Sequence, residues 1–151
     1  MHSLGHFGLT LAISSLLMKP FGNSNPTTIF IISASIVSGL PDIDLSLQRK
    51  GYPIHHRGPT HSILSAFLCG IVIAIILYYL YNLDIYLVIG FSAGFVGIMT
   101  HLLGDMLTYL EFEPLWPFSD FKKNFDLFSS DNQIANNAFF IIGLICFVYY
   151  L

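Results

Sequence analysis

His101 and Asp105 stand four residues apart in His101-Leu102-Leu103-Gly104-Asp105, within an otherwise apolar run. On a helix that spacing sets both side chains on one face, one turn apart. A rigid His–Asp pair of this kind is half of a metal site; its plainer use is a hydrogen bond that staples two helices. A second polar group, Asp42-Ile43-Asp44, follows Pro41 at the edge of another apolar run. Two carboxylates so placed repel one another and desolvate badly, and a divalent cation relieves both problems. Ionisable residues there are costly and usually functional. The competing role is a polar cap, for which Asp is well suited.

The densest group is His56-Arg57-Gly58-Pro59-Thr60-His61-Ser62. Gly58 and Pro59 make a tight turn, so His56 and His61 on either side of it can face one point. Whether His55 or His56 takes that part is open at this level. Arg57 adds a planar, permanently charged donor suited to phosphate or carboxylate. His6, near the start of the chain, is the weakest candidate alone, with His2 as its alternative. The metal-ligand set is then His6, Asp42, His56, His61, His101 and Asp105, with Asp44 as a further donor or a general base. Imidazole with carboxylate suits zinc, manganese or iron. So many donors exceed one tetrahedral site and allow two ions. A two-ion centre serves phosphate-ester hydrolysis.

The elements that position these residues are hydrophobic. Of 151 residues, 54% are apolar and 10% charged, where soluble domains carry about 25% charged residues. The mean hydropathy is +0.70. So few charges cannot clothe a soluble domain of this size. The expected fold is all-α, a single domain over 1–151, built as an integral membrane bundle of four to five helices with the His/Asp cluster at one end. Three runs, Ser62 to Tyr81, Ile85 to Gly104 and Ile134 to Leu151, approach the roughly 20 residues a spanning helix needs. Two shorter runs, Leu4 to Met18 and Thr27 to Leu40, reach only about 22 Å. The first is read as a retained helix, because no positive charge precedes it and no small-residue cleavage site follows. Residues 109–133 form the longest polar segment, with a short interfacial element expected around Trp116.

Alternating the five runs across a bilayer brings His6, Asp42, Asp44, His56, His61, His101 and Asp105 to one face. Arg49, Lys50, Arg57, Lys122 and Lys123 share that face, against Lys19 alone on the other. This bias places the cluster on the cytoplasmic side of a plasma or inner membrane. The net charge of −3 offers no basic footprint for a nucleic-acid partner. Cys69 and Cys146 lie inside apolar runs and act as small hydrophobes. Sequence does not fix the oligomeric state.

The order Gly39-Leu40-Pro41-Asp42-Ile43-Asp44, then the His56 to Ser62 motif, then His101 to Asp105, then Pro114-Leu115-Trp116-Pro117-Phe118-Ser119 closely resembles the YdjM-like membrane-bound metal-dependent hydrolases. The likeness runs from His6 to about Ser119, and the motifs are specific in combination. The resemblance implies a membrane-embedded helical hydrolase that uses a divalent metal. At the level of fold analogy it extends to helical zinc-dependent phospholipases C. One departure is the stretch Thr108 to Glu113, where family members carry a Gly-containing turn; Glu111 or Glu113 could take part in its place.

The resulting expectation is cleavage of a phosphoester in a lipid or lipid-like substrate by metal-activated water, with zinc as the first choice of ion. Asp44 and Arg57 are the expected catalytic residues. Arg57 also binds the phosphate, and Trp116, with Lys122 or Lys123, meets the head group. The alternatives are a metal-ion carrier or channel and a non-catalytic membrane protein with a structural metal site.

Overall fold

The computed structural model describes every residue except 53–57, 120 and 123. Among the described residues the α-helices are α1 (Ser3–Met18), α2 (Asn25–Val37), α3 (Ile43–Arg49), α4 (Ile63–Tyr81), α5 (Ile85–Met106) and α6 (Gln133–Tyr150). All but the seven-residue α3 belong to the bundle. The expected all-α membrane bundle is what the chain forms.

The apolar runs become helices where capping chemistry starts and stops them. Ser62 begins α4: its hydroxyl accepts from the Ser65 amide at 3.2 Å, while Ser65 returns a bond to the Ser62 amide. This reciprocal box satisfies two amides that the helix start leaves orphaned. Asn82, left-handed at φ 52°, ends the helix and turns the chain at once into α5. Ser24 and Thr27 form the same kind of box before α2, with Pro26 inside the first turn, where its missing amide costs nothing.

Helix directions follow from contacts between positions. Gly90 lies against Ala74 and Gly94 against Gly70, so α4 and α5 are antiparallel. A Cβ on Gly94 would fall 2.7 Å from the Gly70 Cα, a closeness of backbones typical of helix pairs in membranes. Gly97 meets Ala34, and His101 reaches Ser38, so α2 runs parallel to α5. Gly5 meets Asn136 and Gly8 meets Phe139 and Phe140, so α1 runs parallel to α6. The starts of α1, α4 and α6 and the ends of α2 and α5 therefore gather at one end.

α4, α5 and α6 are long and apolar enough to cross a membrane. Their outer surfaces carry exposed Leu68, Ile75, Leu80, Val88, Ile141 and Val148. Large apolar side chains facing outward suit hydrocarbon. α1, with 16 residues, is different in kind. Its buried face holds His6, Thr10, Ser14 and Ser15. Thr10 and Thr100 share a hydroxyl hydrogen bond of 2.6 Å, and Ser14 donates to the Thr10 carbonyl at 2.6 Å. α1 is lined by α2, α5 and α6, so its polar side chains never meet lipid. Behind them, Leu11, Phe30, Ile31, Ala34 and Ala93 pack one apolar core; Val37, Ala66, Ile98, Leu102 and Phe112 pack another nearer the polar end.

The segment expected to hold an interfacial element around Trp116 is a series of turns, with a cis bond between Trp116 and Pro117. It is tied to α4 by the Ile63 amide, which donates to the Pro114 carbonyl at 2.9 Å. Cys69 and Cys146 are both free and half-buried.

Candidate metal centre

Asp105 lies in the last turn of α5, with His101 one turn earlier on the same face. His101 Nε2 is 3.5 Å from Asp105 Oδ2. α1 delivers His6, whose Nε2 is 3.3 Å from Asp105 Oδ1. The 3-10 turn Pro59–His61 delivers His61, whose Nε2 is 3.5 Å from Asp105 Oδ2. Asp42, just before α3, brings Oδ1 to 4.0 Å from His101 Nε2. The three rings and Asp105 are essentially shielded from solvent. His6 and His101 stack with centroids 3.8 Å apart, and His61 meets His101 edge-on at 4.9 Å. Residues from three separate stretches of the sequence, His6, His61 and His101, thus converge on the Asp105 carboxylate.

Gly104 makes this convergence possible. A Cβ there would lie 2.9 Å from His6 Nδ1, so only glycine lets the α1 ring pass beside α5. The glycine inside His101-Leu102-Leu103-Gly104-Asp105 is therefore part of the site's geometry.

The proton on His101 can be located from its partner. Nδ1 is 2.7 Å from the Ser38 carbonyl, which can only accept, so Nδ1 carries the hydrogen. In the neutral ring Nε2 then presents a bare lone pair toward the Asp105 and Asp42 oxygens. Among the described residues no hydrogen bond satisfies His101 Nε2 or either nitrogen of His6, and all three atoms are buried. Lone pairs aimed at carboxylate oxygens repel unless a cation stands between them. The spacing fits that use. Two donors at about 2.0–2.2 Å from one tetrahedral zinc lie about 3.3–3.5 Å apart. The observed His–Asp105 separations of 3.3 to 3.5 Å match, and they exceed the 2.7–3.2 Å of ordinary hydrogen bonds. A carbonyl fixing the tautomer of a ligand imidazole from behind is also the usual outer arrangement of such centres.

Among the described residues, two donor triads have mutual spacings that could hold an ion: His6, Asp42 and His101, and His61, His101 and Asp105. The donor set fits a divalent metal held by nitrogen and oxygen.

Comparison with known families agrees over the whole chain. The model of the YdjM inner membrane protein family matches residues 1–151. The chain belongs to the YdjM inner membrane protein family. No curated protein and no solved structure matches it.

In this YdjM protein the remaining site residues separate into groups. Asp44 is buried but stands behind His61, not among the converging ring nitrogens: its Oδ2 is 3.3 Å from His61 Nδ1 and 2.7 Å from Thr60 Oγ1. Thr60 Oγ1 is itself 3.0 Å from His61 Nδ1. Burial away from water, together with the neighbouring His101, pushes the His61 pKa below its usual value, while the hydrogen bond to Asp44 opposes this. Of the alternatives His2 and His6, it is His6 that the structure brings into the cluster. His2 is exposed and lies 3.4 Å from exposed Asp131. Glu113 lies 3.3 Å from Lys122. Trp116 is part-exposed, and its amide donates to the Glu113 carbonyl within its own turn. His55, His56, Arg57 and Lys123 lie outside the described residues.

Several contributors were not visible in the sequence. The Ser38 carbonyl has no side-chain signature. Asn136 accepts from the His2 amide at 2.9 Å and donates to the Ser130 carbonyl at 2.9 Å, anchoring the start of α1 to α6. The Met1 α-amino group lies 2.6 Å from Asp105 Oδ1. Thr60 did carry a signal, since it sits inside the histidine motif.

Proposed function

We propose that this YdjM family member is a membrane-embedded, metal-dependent hydrolase that cleaves a phosphoester of a lipid or lipid-like substrate. The observation that carries the reading is the bare, buried Nε2 of His101, fixed by Ser38 and aimed at Asp105 and Asp42. A purely structural His–Asp staple would bring these atoms into hydrogen-bond distance. His6, His61, His101, Asp105 and Asp42 hold the ion or ions, and zinc suits the donor set. Each ring nitrogen serves one ion, so the two triads cannot both claim His101. Asp105, with Oδ1 toward His6 and Oδ2 toward His61 and His101, would be the carboxylate shared among these rings in holding a divalent cation. A bound divalent cation supplies Lewis acidity toward a phosphoryl oxygen and toward water.

The chain's own residues do the rest. Asp44 and Thr60 hold the His61 ring in place, so Asp44 acts as a positioning residue beside its expected part as general base. Ser38 does the same for His101. The buried walls keep bulk water out, which strengthens every charge interaction inside. Arg57 and His56 keep their expected parts as phosphate-binding group and further ligand. The end bearing the site also carries Arg49, Lys50 and Lys122, which supports a cytoplasmic face. An ion carrier calls for a midplane site between repeated halves. Here the donors occupy the ends of helices, which favours hydrolysis.

The test is hydrolysis by protein in nanodiscs, stripped of metal and reloaded with zinc or manganese. Phosphate or head-group release from a panel of phospholipids is measured against a His101→Ala, Asp105→Ala double variant. Metal-dependent release, absent in the variant, is expected. No release on any substrate by protein shown to hold metal would remove the hydrolase and leave a structural metal site.

A further inference from the structure

A polar cavity of about 220 Å³ adjoins the histidine cluster. Ser3, Asp42, Ser46, Arg49, Leu110 and Asp131 are among the residues that line it. Drug-sized ligands occupy roughly 300–1,000 Å³. The cavity is therefore sized for a head group and not for acyl chains.

The short α3 explains its chemistry. Positions 42, 45, 46 and 49 follow the i, i+3, i+4, i+7 pattern of one helix face, and all four line the cavity. One end of this stripe is Asp42, 4.0 Å from His101 Nε2 and held by the Ser3 hydroxyl at 3.1 Å. The other end is Arg49, two turns away, or about 10 Å along the axis. Its long side chain lets the guanidinium fold back over the space between. Arg49 makes no ion pair or hydrogen bond among the described residues, unlike the other charged residues on the wall. Asp131 lies beside His2 at 3.4 Å, and Asp42 is engaged as above. A cavity with a cation-binding cluster at one end and an unengaged guanidinium at the other is complementary to an anion.

Resting on the metal-site reading above, we propose that this cavity is the substrate's phosphate-binding pocket and that Arg49 is its anion-recognition residue. The ligand class is a phosphate monoester or diester group. It reaches the pocket from a lipid head group in the adjoining leaflet or from a water-soluble phosphoester. A planar guanidinium grips such a group through two parallel hydrogen bonds. Arg49 adds to, and is distinct from, the Arg57 expected from the histidine motif.

The experiment is titration of inorganic phosphate into the full-length protein in detergent, zinc-loaded and zinc-free, by calorimetry. Wild type, Arg49→Ala, Arg49→Lys and the cavity-filling Ser46→Trp are compared, with zinc content measured on each sample. Loss of one charge-assisted contact predicts phosphate binding weaker by about 10–100-fold in Arg49→Ala. The lysine variant is expected to fall between, and Ser46→Trp to abolish binding, all with zinc content unchanged. Equal phosphate affinity in wild type and Arg49→Ala, or no phosphate binding by wild type, overturns the pocket while leaving the metal site standing. Absence of zinc from wild type overturns the metal site; phosphate binding that still depends on Arg49 and Ser46 in that sample keeps the pocket. Competition by nanodiscs containing phosphatidate, but not by phosphatidylcholine alone, assigns the pocket to a lipid head group. Competition by glycerol phosphate alone assigns it to a soluble ester.

Discussion

The two ends of the bundle solve the same problem in opposite ways. At the end far from the site, polar groups find partners at once. The Tyr150 hydroxyl lies 2.5 Å from Thr27 Oγ1 and 3.3 Å from Thr28 Oγ1. Tyr81 stacks on Tyr86 at 4.2 Å, and Lys19 reaches the Tyr149 carbonyl and ring. These are interfacial contacts of the kind that anchor helices at a membrane surface. At the other end, α1, α5, the α2–α3 link and the turn before α4 bury His and Asp side chains together, and among the described residues the His6 nitrogens and His101 Nε2 have no hydrogen bond. Burying ionisable groups is expensive, and a fold that needs only anchoring does not do it. The difference separates an end that anchors helices from an end whose buried His and Asp side chains could hold a metal ion.

That contrast can be broken or sharpened by substitution at each end. The largest effect is expected for His101→Ala. It removes the nitrogen common to both donor triads. Metal affinity should fall by more than about 100-fold, beyond the roughly 10–100-fold that outer-shell changes bring. Elemental analysis of the folded variant after dialysis reads it, and retained metal would dissolve the contrast. Thr60→Val comes next. It leaves the ligands in place but removes the hydroxyl that lies between Asp44 and His61. Metal affinity should fall by about 10-fold, with the helical content unchanged by circular dichroism. Tyr150→Phe is the smallest. It deletes a hydroxyl contact at the far end and should cost about 1 kcal/mol of stability with metal content untouched. A loss of metal there would mean that the two ends are coupled.

The same contrast governs what the sequence made legible. Long uncharged runs announced α4, α5 and α6, because lipid demands apolar surface over a fixed length. α1 and α2 were harder: they are short, and α1 carries a polar buried face that no bilayer argument expects. His101 with Asp105 was readable from helical spacing, and the sharing of one face followed from alternation of the runs. The choice of His6 over His2 was not readable, because both fall near the same helix start, and only packing against Gly104 and Asp105 separates them. The place of Asp44 behind His61 depends on a turn, and turns carry little periodicity. The Ser38 carbonyl that sets the His101 tautomer is backbone, invisible to any reading of side chains. Arg49 stood in the sequence only as one positive charge among several; the face of α3 it shares with Asp42 gave it a place.

The most direct test of the central claim is zinc K-edge X-ray absorption on purified protein after zinc loading and dialysis, beside the His101→Ala, Asp105→Ala variant. The account predicts retained zinc with a first shell of nitrogen and oxygen at about 2.0–2.2 Å, imidazole scattering beyond it, and loss of both in the variant. Folded wild type that retains no metal, or a sulfur shell near about 2.3 Å, would contradict a centre built from His6, His61, His101 and Asp105.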